Sequence, residues 1–229
     1  MSKQFIGRII SHLKAGFWTR LQPAAQKAIS TGAHTMRRII LASSSPYRRQ
    51  LLERLRLPFE SASPHINEER LAGEAPEQLA ARLAAEKAQA LQPSHDDALI
   101  IGSDQVAECD GRILGKPGTT ENAYQQLRLC AGKQVNFHTG VSLLDTRSGT
   151  HQTTCEIFSV HFRNLTDAEI ERYIALDNPL DCAGSFKAEG LGIALFGKME
   201  GSDPSSLIGL PLIQLISMLR KAGVSPLTR

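Results

Sequence analysis

The chain has 229 residues, of which 41% are hydrophobic and 21% are charged, so it is long enough to bury a sizeable core. Its four cysteines form no CxxC pair and lack zinc-ligand spacing, which argues against a zinc site and predicts free thiols in a reducing cytoplasm. The formal charge of +3 does not indicate nucleic-acid binding, because residues 1–38 carry +7 and the remainder carries −4.

The first 35 residues place apolar side chains at helical spacing between Phe5 and Leu21. One interpretation is a basic amphipathic helix that binds an anionic membrane or a partner. We favour a translation start assigned upstream of the natural one, because Met36 is followed at once by an apolar strand pattern. No apolar run approaches the length of a membrane span, and a secretory signal fits poorly. The predicted organisation is an extension at 1–35 and a domain at 36–229.

After residue 36 the sequence alternates strand patterns with amphipathic helix patterns. Ser45 is the predicted N-cap of the first helix, with Pro46 at its first position, and Thr166 and Glu169 form a predicted capping box. Strands are predicted at 38–42, 59–63, 98–102, 135–144 and 152–163, and helices from 46 and at 76–91, 120–129, 167–176 and 209–222. Because the last two strands form a long hairpin pattern, we expect an α/β fold with a mixed, elongated sheet.

A serine-rich turn joins the first predicted strand to the first helix. Residues 43–45 are all serine, and their hydroxyls and amides precede a helix N-terminus, where the helix dipole favours anions. Arg48 and Arg49 lie in the first turn, where cations oppose the dipole, so one interpretation is an anionic partner between them. The other is an ordinary capped helix with solvated arginines.

Carboxylates and lysines elsewhere are of the types that phosphate chemistry requires. Asp104 follows an apolar run at a predicted strand end, where it holds a cation, orients a water or simply caps a turn. Lys116 in “GKP” is within reach of a phosphate, although no Walker loop surrounds it. Lys87 on a predicted helix and Glu68 in a loop either join the same cleft or stay solvated.

A glycine-rich segment, “CAGSFKAEGLG” at 182–192, predicts close approach of the backbone to a ligand, with a flexible turn as the alternative. Lys187 and Glu189 are expected to be exposed there. Together, the carboxylates, the basic side chains and the serine-rich helix start are the groups used in metal-assisted cleavage of phosphoanhydrides. The sequence has no GxSxG motif and no Cys/His pairing that would indicate a covalent nucleophile.

Six segments in order, “LASSSPYRRQLL”, “LAAEKAQAL”, “IIGSDQV”, “GKP”, “FHTG” and “CAGSFKAEGLG”, resemble the Maf family of nucleoside triphosphate pyrophosphatases. The resemblance extends from residue 36 nearly to the C-terminus. The combination of “SDQV” with “GSFKAEG” is similar to the branch that acts on 7-methyl-GTP. The dTTP/UTP branch has Thr after the Asp and Gln in place of the Glu.

The resemblance implies a two-lobed Maf/ITPase-like α/β fold with a nucleotide cleft between the lobes. The implied activity is that of a hydrolase acting on acid anhydrides, which converts 7-methyl-GTP to 7-methyl-GMP and diphosphate and so clears modified nucleotides. A divalent cation, Mg²⁺ or Mn²⁺, is the implied cofactor, and the cytoplasm is the expected location. A nucleoside triphosphate is the expected partner; nucleic acid and membrane are not expected, and a homodimer stays open. The alternatives are a dTTP/UTP pyrophosphatase and a nucleotide-binding regulator of cell division without turnover.

The resemblance also assigns roles to individual residues. Asp104 matches the catalytic proton acceptor, and Glu68 and Asp104 match the carboxylates that hold metal. The phosphate-binding positions are Ser43, Arg48, Lys87 and Lys116. The positions that set base preference are Tyr47, Gln105 and Glu189.

Physical chemistry is consistent with these base-reading roles. N7-methylation makes guanine cationic, and a carboxylate at Glu189 accepts from both its N1–H and its exocyclic amine. An aromatic ring at Tyr47 stacks on a cationic base, although relatives of this branch carry Trp there. Asn67 stands where the family usually has an acid, so one carboxylate fewer lies beside Glu68. We expect the first departure to weaken stacking and the second to weaken metal binding.

Overall fold

The computed structural model describes residues 37–228, and the extension predicted at 1–35 lies outside this range. Its centre is a seven-stranded mixed sheet in the order β2-β1-β3-β5-β6-β7, with β4 paired to part of β3. The strands are β1 (Arg38–Ala42), β2 (Glu60–Ala62), β3 (Ala98–Cys109), β4 (Arg112–Leu114), β5 (Gln134–Asp145), β6 (Thr150–Phe162) and β7 (Phe196–Glu200). β1 is parallel to β2 and β3, and the other pairs are antiparallel. The mixed α/β sheet and its long β5–β6 hairpin are therefore confirmed.

The helices are α1 (Pro46–Glu53), α2 (Pro76–Ala90), α3 (Thr120–Cys130), α4 (Asp167–Asp177), α5 (Pro204–Ile208) and α6 (Leu212–Lys221), with short 3₁₀ turns at Gln92–Ser94, Ala183–Ser185 and Leu191–Leu195. Both predicted helix starts are confirmed. The Ser45 hydroxyl accepts a hydrogen bond from the Arg48 amide, with Pro46 in the first turn. Thr166 and Glu169 form the capping box of α4. Within the described residues, no helix is long and apolar enough to cross a membrane.

The predicted end of the third strand at Gly102 is wrong. β3 continues to Cys109, and β5 pairs with it from Leu99 to Glu108. The apolar run that predicted the strand stops at Gly102, but Ser103 and Asp104 are buried all the same. Backbone pairing to β5, which sequence periodicity does not show, therefore carries the strand seven residues further.

The final helix predicted at 209–222 is also wrong at its start. Gly209 has a φ of +124° and ends the short helix α5, and α6 begins only after Pro211. The buried Asp203 carboxylate accepts from the amide of Ser205 at 2.9 Å and from the amide of Ile213 at 2.8 Å. One side chain thus serves the starts of both helices, which keeps them as separate segments.

Apolar side chains form two main clusters along the sheet. One surrounds Phe137 and Phe158, with α3, α4 and the 3₁₀ turns packed on it. The other surrounds Leu99 and Ile101 of β3 and includes residues of α1 and α6. Helix α2 covers the opposite face, where Ala88 packs with Ile100. The sheet therefore has helices on both faces, and its two ends have separate cores.

Two glycines allow the backbone of α2 to lie directly on the sheet. A Cβ atom on Gly102 would stand 2.0 Å from the carbonyl oxygen of Ala84, and one on Gly140 would stand 2.1 Å from that of Ala80. Real Cβ atoms do not approach a backbone atom so closely, and a helix backbone cannot yield as a flexible side chain can. The absence of a side chain at Gly102 and Gly140 therefore allows the short distance between α2 and strands β3 and β5.

We expect Gly140→Ala to lower the free energy of unfolding by about 3 kcal/mol, because the added methyl meets helix backbone. Urea unfolding followed by circular dichroism measures this loss. Gly197→Ala is the matched control, since a Cβ there would meet its nearest atom only at 3.9 Å, and its effect should stay within about 0.5 kcal/mol. Equal losses in the two variants would contradict the close-approach argument.

Candidate active site

A cavity of about 560 Å³ opens beside a gap in the pairing of β3. On this side β1 pairs with β3 from Ala98 to Gly102, and β4 pairs with it from Ala107 to Cys109. In the part of the chain that the structure describes, no strand covers the four residues between, 103–106. A cavity of this volume is in the range of small-molecule sites.

All nine residues to which the family resemblance assigns a role line this cavity. They are Ser43, Tyr47, Arg48, Glu68, Lys87, Asp104, Gln105, Lys116 and Glu189. They come from seven separate parts of the chain: the β1–α1 turn, α1, the loop before α2, α2 itself, β3, the loop after β4 and the loop after α4. The fold thus brings together side chains that are as many as 146 positions apart in the sequence, from 43 to 189.

Asp104 and Lys87 form a buried ion pair with a third member, Glu68. The Lys87 ammonium lies 2.5 Å from Asp104 Oδ1 and 2.8 Å from Glu68 Oε1. The side chains of Lys87 and Asp104 are 7% and 12% exposed, whereas that of Glu68 is 58% exposed. The lysine that the sequence assigned to phosphate therefore bridges the two carboxylates assigned to metal.

Charge and burial shift the pKa values of two groups at this end of the cavity. Burial lowers the pKa of the Arg48 guanidinium, while the charges of Asp104 and Glu68 oppose that change. Burial raises the pKa of Glu68, but the hydrogen bond and charge of Lys87 and the charges of Lys116 and Arg48 outweigh it, so that the pKa lies below its usual range. Glu68 is thus held as a carboxylate.

Arg82 on α2 holds the loop that carries Glu68. Its guanidinium donates to both carboxylate oxygens of the buried Glu74, at 2.7 and 2.9 Å, and to the backbone carbonyl of Glu69 at 3.0 Å. The Arg82 hydrogen bond is the largest cause of a Glu74 pKa lowered to about 2. Arg82 also pairs with Glu86. Arg82 is not among the residues predicted from sequence, although it lies one position before the “LAAEKAQAL” segment.

The side-chain amide of Gln105 is fixed on the opposite face of the sheet from Asp104. Its nitrogen donates to the carbonyl oxygens of Ser206 and Leu207, at 2.8 and 3.1 Å, and contacts the Thr139 hydroxyl at 3.1 Å. Thr139 in turn donates to the same Ser206 carbonyl at 2.9 Å. Three oxygens around the nitrogen determine which way the amide points. The nitrogen of Gln105 is therefore occupied, which leaves its carbonyl oxygen as the group free to accept a hydrogen bond.

Tyr47 and Asp181 meet at the wall of the cavity. The Tyr47 hydroxyl lies 3.2 Å from Asp181 Oδ2, and burial, with the nearby Cys182 and Asp181, raises the pKa of Tyr47. Cys182 and Glu189 also line the cavity. Stacking of Tyr47 on a base stays a prediction. Asp181 was missed, although it directly precedes the “CAGSFKAEGLG” segment.

The serine-rich turn is held against the α5–α6 connection. The Ser43 hydroxyl accepts from the amide of Ser45 at 3.1 Å. Arg48 Nε donates to the carbonyl of Gly209 at 2.8 Å, and the Ser103 hydroxyl donates to the same carbonyl at 2.9 Å. Arg49 is exposed and pairs with Glu53 on α1, which fits the alternative interpretation of a solvated arginine at this position.

Two glycines of the glycine-rich segment make close approaches within the chain. A Cβ on Gly190 would stand 2.8 Å from the Asp177 carboxylate, and one on Gly192 would stand 2.3 Å from the carbonyl of Lys187. Other residues of the segment line the cavity, and approach of its backbone to a ligand stays a prediction. Lys187 is half-buried, because its ammonium donates to the carbonyl of Asp177 at 2.9 Å, whereas Glu189 is exposed at the cavity as expected.

The donor set suits a cation that is held mainly by substrate. Among residues 37–228, no three His, Cys, Asp or Glu side chains gather as a metal site. Asp104 and Glu68 provide two carboxylates, and Glu69 is held by Asn67 instead. Mg²⁺ is commonly bound by one or two carboxylates together with phosphate oxygens and water. The residues present therefore fit a divalent ion of that kind.

Comparison with known proteins identifies the family. The profile of a family described as “Maf-like protein” matches residues 38–222, which is most of the chain and includes every residue of the cavity. The chain belongs to the Maf family. The family assignment suggested by the sequence motifs is therefore confirmed.

Two curated relatives align with most of this Maf protein. A Pseudomonas aeruginosa protein is 59% identical over 186 residues, which cover 81% of this chain and 97% of the relative. A Cupriavidus pinatubonensis protein is 58% identical over 186 residues, with coverage of 81% and 94%. Both are named 7-methyl-GTP pyrophosphatase. Among solved structures, the Ham1 protein of Staphylococcus aureus matches with 13% identity and a TM-score of 0.47, covering 82% of this chain and all of that one.

Replacing Arg82 with methionine should weaken the site by releasing the loop that carries Glu68. We expect a lower melting temperature, because the buried Glu74 carboxylate loses its partner, and faster proteolysis between residues 66 and 75. Limited proteolysis with mass spectrometry measures the second effect. Arg49→Met removes an exposed arginine paired at i,i+4 and should leave both unchanged. Unaltered cleavage of the loop in the Arg82 variant would contradict this assignment.

Proposed function

We propose that this chain hydrolyses 7-methyl-GTP to 7-methyl-GMP and diphosphate, in a reducing cytoplasm. The observation that carries the proposal is that one cavity brings together Lys87 between the Asp104 and Glu68 carboxylates, the nearby cations Arg48 and Lys116, and the hydrogen-bonding side chains of Gln105 and Glu189. Two relatives of nearly 60% identity whose name states this activity support it. The four cysteines are free thiols, which fits the proposed compartment.

The charged groups around Asp104 and Glu68 are those needed to bind a triphosphate and cleave it. Lys116, Arg48 and Lys87 attract the phosphates and oppose the negative charge that grows on the departing diphosphate. Asp104 accepts a proton from water as the water oxygen attacks the α-phosphorus and the bond to the bridging α–β oxygen breaks. A divalent cation held by Asp104 and Glu68, Mg²⁺ or Mn²⁺, would supply further neutralisation of phosphate charge when bound.

Gln105, Glu189 and Asp181 support recognition of a methylated guanine. Gln105 offers an acceptor whose direction is fixed by α5, and Glu189 offers a carboxylate at the cavity surface. The N1–H and amino group of guanine are donors, so they match acceptors rather than amide N–H groups. N7-methylation adds a positive charge, which Asp181 and Glu189 favour over a neutral base.

A panel of nucleotides tests the proposal directly. Diphosphate release would be measured for 7-methyl-GTP, GTP, UTP and dTTP, each with Mg²⁺, with Mn²⁺ and with EDTA. We expect 7-methyl-GTP to have the highest kcat/KM and EDTA to abolish turnover. Preference for UTP or dTTP would move the protein to the other branch, and saturable nucleotide binding without diphosphate release would favour a regulator.

Asp104→Asn should reduce kcat for the best nucleotide by about 1,000-fold, because an amide cannot accept the proton. The nucleotide should still bind, which equilibrium binding with a non-hydrolysable analogue measures. Glu53→Gln, on the exposed surface of α1, is the matched control and should be fully active. Turnover of the Asp104 variant within a few-fold of wild type would refute its role as proton acceptor.

Glu189→Gln should lower kcat/KM for 7-methyl-GTP about tenfold more than for UTP. The reason is that an amide replaces a charge-assisted acceptor, a change of the order of 1.5 kcal/mol. Parallel steady-state kinetics on both nucleotides give the ratio. Equal losses on the two substrates would show that Glu189 does not read the base.

A further inference from the structure

We propose that Lys87 is an internal counter-cation that keeps the divalent ion from binding until a triphosphate is present. It does so by occupying Asp104 and Glu68 in the free protein, so that metal and nucleotide bind together rather than in either order. This proposal rests on one part of the proposed function, namely that the cavity binds a polyphosphate and a divalent ion.

In the free protein, Lys87 occupies the two carboxylates that would hold the metal. Its ammonium touches one oxygen of Asp104 and one of Glu68, at 2.5 and 2.8 Å, and these are the two carboxylates that fit a divalent ion. Its side chain is only 7% exposed, and α2 is held against the sheet by glycine contacts. A divalent ion that binds the free protein must therefore share or displace a buried, preformed partner, which costs free energy.

The net charge of the cavity differs between binding of the metal alone and binding of metal with triphosphate. With Lys116 and Arg48 included, the five charged groups at this end have a net charge of +1, so a divalent ion alone would raise it to +3. The triphosphate group of a nucleotide carries a charge of about −4 near neutral pH. When both ligands bind, the net charge becomes −1. This is closer to neutrality than the +3 of the state with metal alone or the −3 of the state with triphosphate alone. Electrostatics therefore favours joint binding.

Phosphate gives Lys87 a new partner. An ammonium donates hydrogen bonds to phosphate oxygens as readily as to carboxylate oxygens, and its three donors turn on a flexible stem. Lys87 can then share its donors with phosphate while Asp104 and Glu68 gain the metal. By linkage, the nucleotide strengthens metal binding by the same factor as metal strengthens nucleotide binding.

Mn²⁺ binding to the nucleotide-free protein tests the proposal, with free Mn²⁺ followed by electron paramagnetic resonance. We expect weak binding by wild type and binding at least about tenfold tighter by Lys87→Met. Lys116→Met is the matched control: it removes the same charge from the same cavity, and its lysine forms no ion pair with Asp104 or Glu68 in the structure. It should tighten binding far less. Equal gains in both variants, or no gain for Lys87→Met, would overturn the proposal.

A measurement on wild type avoids any folding defect of the Lys87 variant. We expect Mn²⁺ alone to leave the melting temperature nearly unchanged, and Mn²⁺ with the α,β-methylene analogue of 7-methyl-GTP or GTP to raise it clearly. Stabilisation by Mn²⁺ alone that matches the combined effect would overturn the proposal. If the nucleotide panel refuted the proposed substrate, the Mn²⁺ titrations would still decide the role of Lys87, because they contain no nucleotide.

Discussion

The close approach of α2 to the sheet is the constraint on which the site depends. Gly102 and Gly140 have no Cβ, so the carbonyls of Ala84 and Ala80 lie where side chains would otherwise stand. Lys87 follows Ala84 by less than one helical turn, and Asp104 pairs with Gly140 across the strands. The two glycines therefore set how near the ammonium comes to the carboxylate. A helix further from the sheet would leave the same residues too far apart for a buried ion pair.

Around this contact, the chain uses backbone carbonyls to position side chains. Arg82 is anchored on Glu69, Gln105 on Ser206, and both Arg48 and Ser103 on Gly209. Carbonyls in short helices and tight loops move less than long side chains do, so they give charged and polar groups one direction. The cavity thus owes its geometry as much to the loop before α2 and the α5–α6 connection as to the groups that face the ligand.

Local patterns predicted much of this fold, and tertiary pairing explains the rest. The helix caps at Ser45 and Thr166 and the β5–β6 hairpin depend on residues that are close in the sequence, so they could be predicted from it. The length of β3 depends on β5, and the break at Gly209 depends on a φ value and on Asp203, so both were misjudged. The resemblance named nine cavity residues correctly as neighbours. It could not show that Lys87 lies between two carboxylates, because that contact requires the helix-to-sheet distance.

Asp104 and Gln105 are consecutive in β3 and so face opposite sides of the sheet, one toward α2 and the other toward α5. In the proposed function, the residue that reads the base and the residue that accepts the proton are therefore neighbours on one strand, and their side chains contact different helices. The ion pair of Asp104 with Lys87 involves no residue of α5. Within such a scaffold, a lineage can change the nucleotides it accepts while keeping its hydrolytic machinery intact, which gives divergent members of the fold a short route to new substrates.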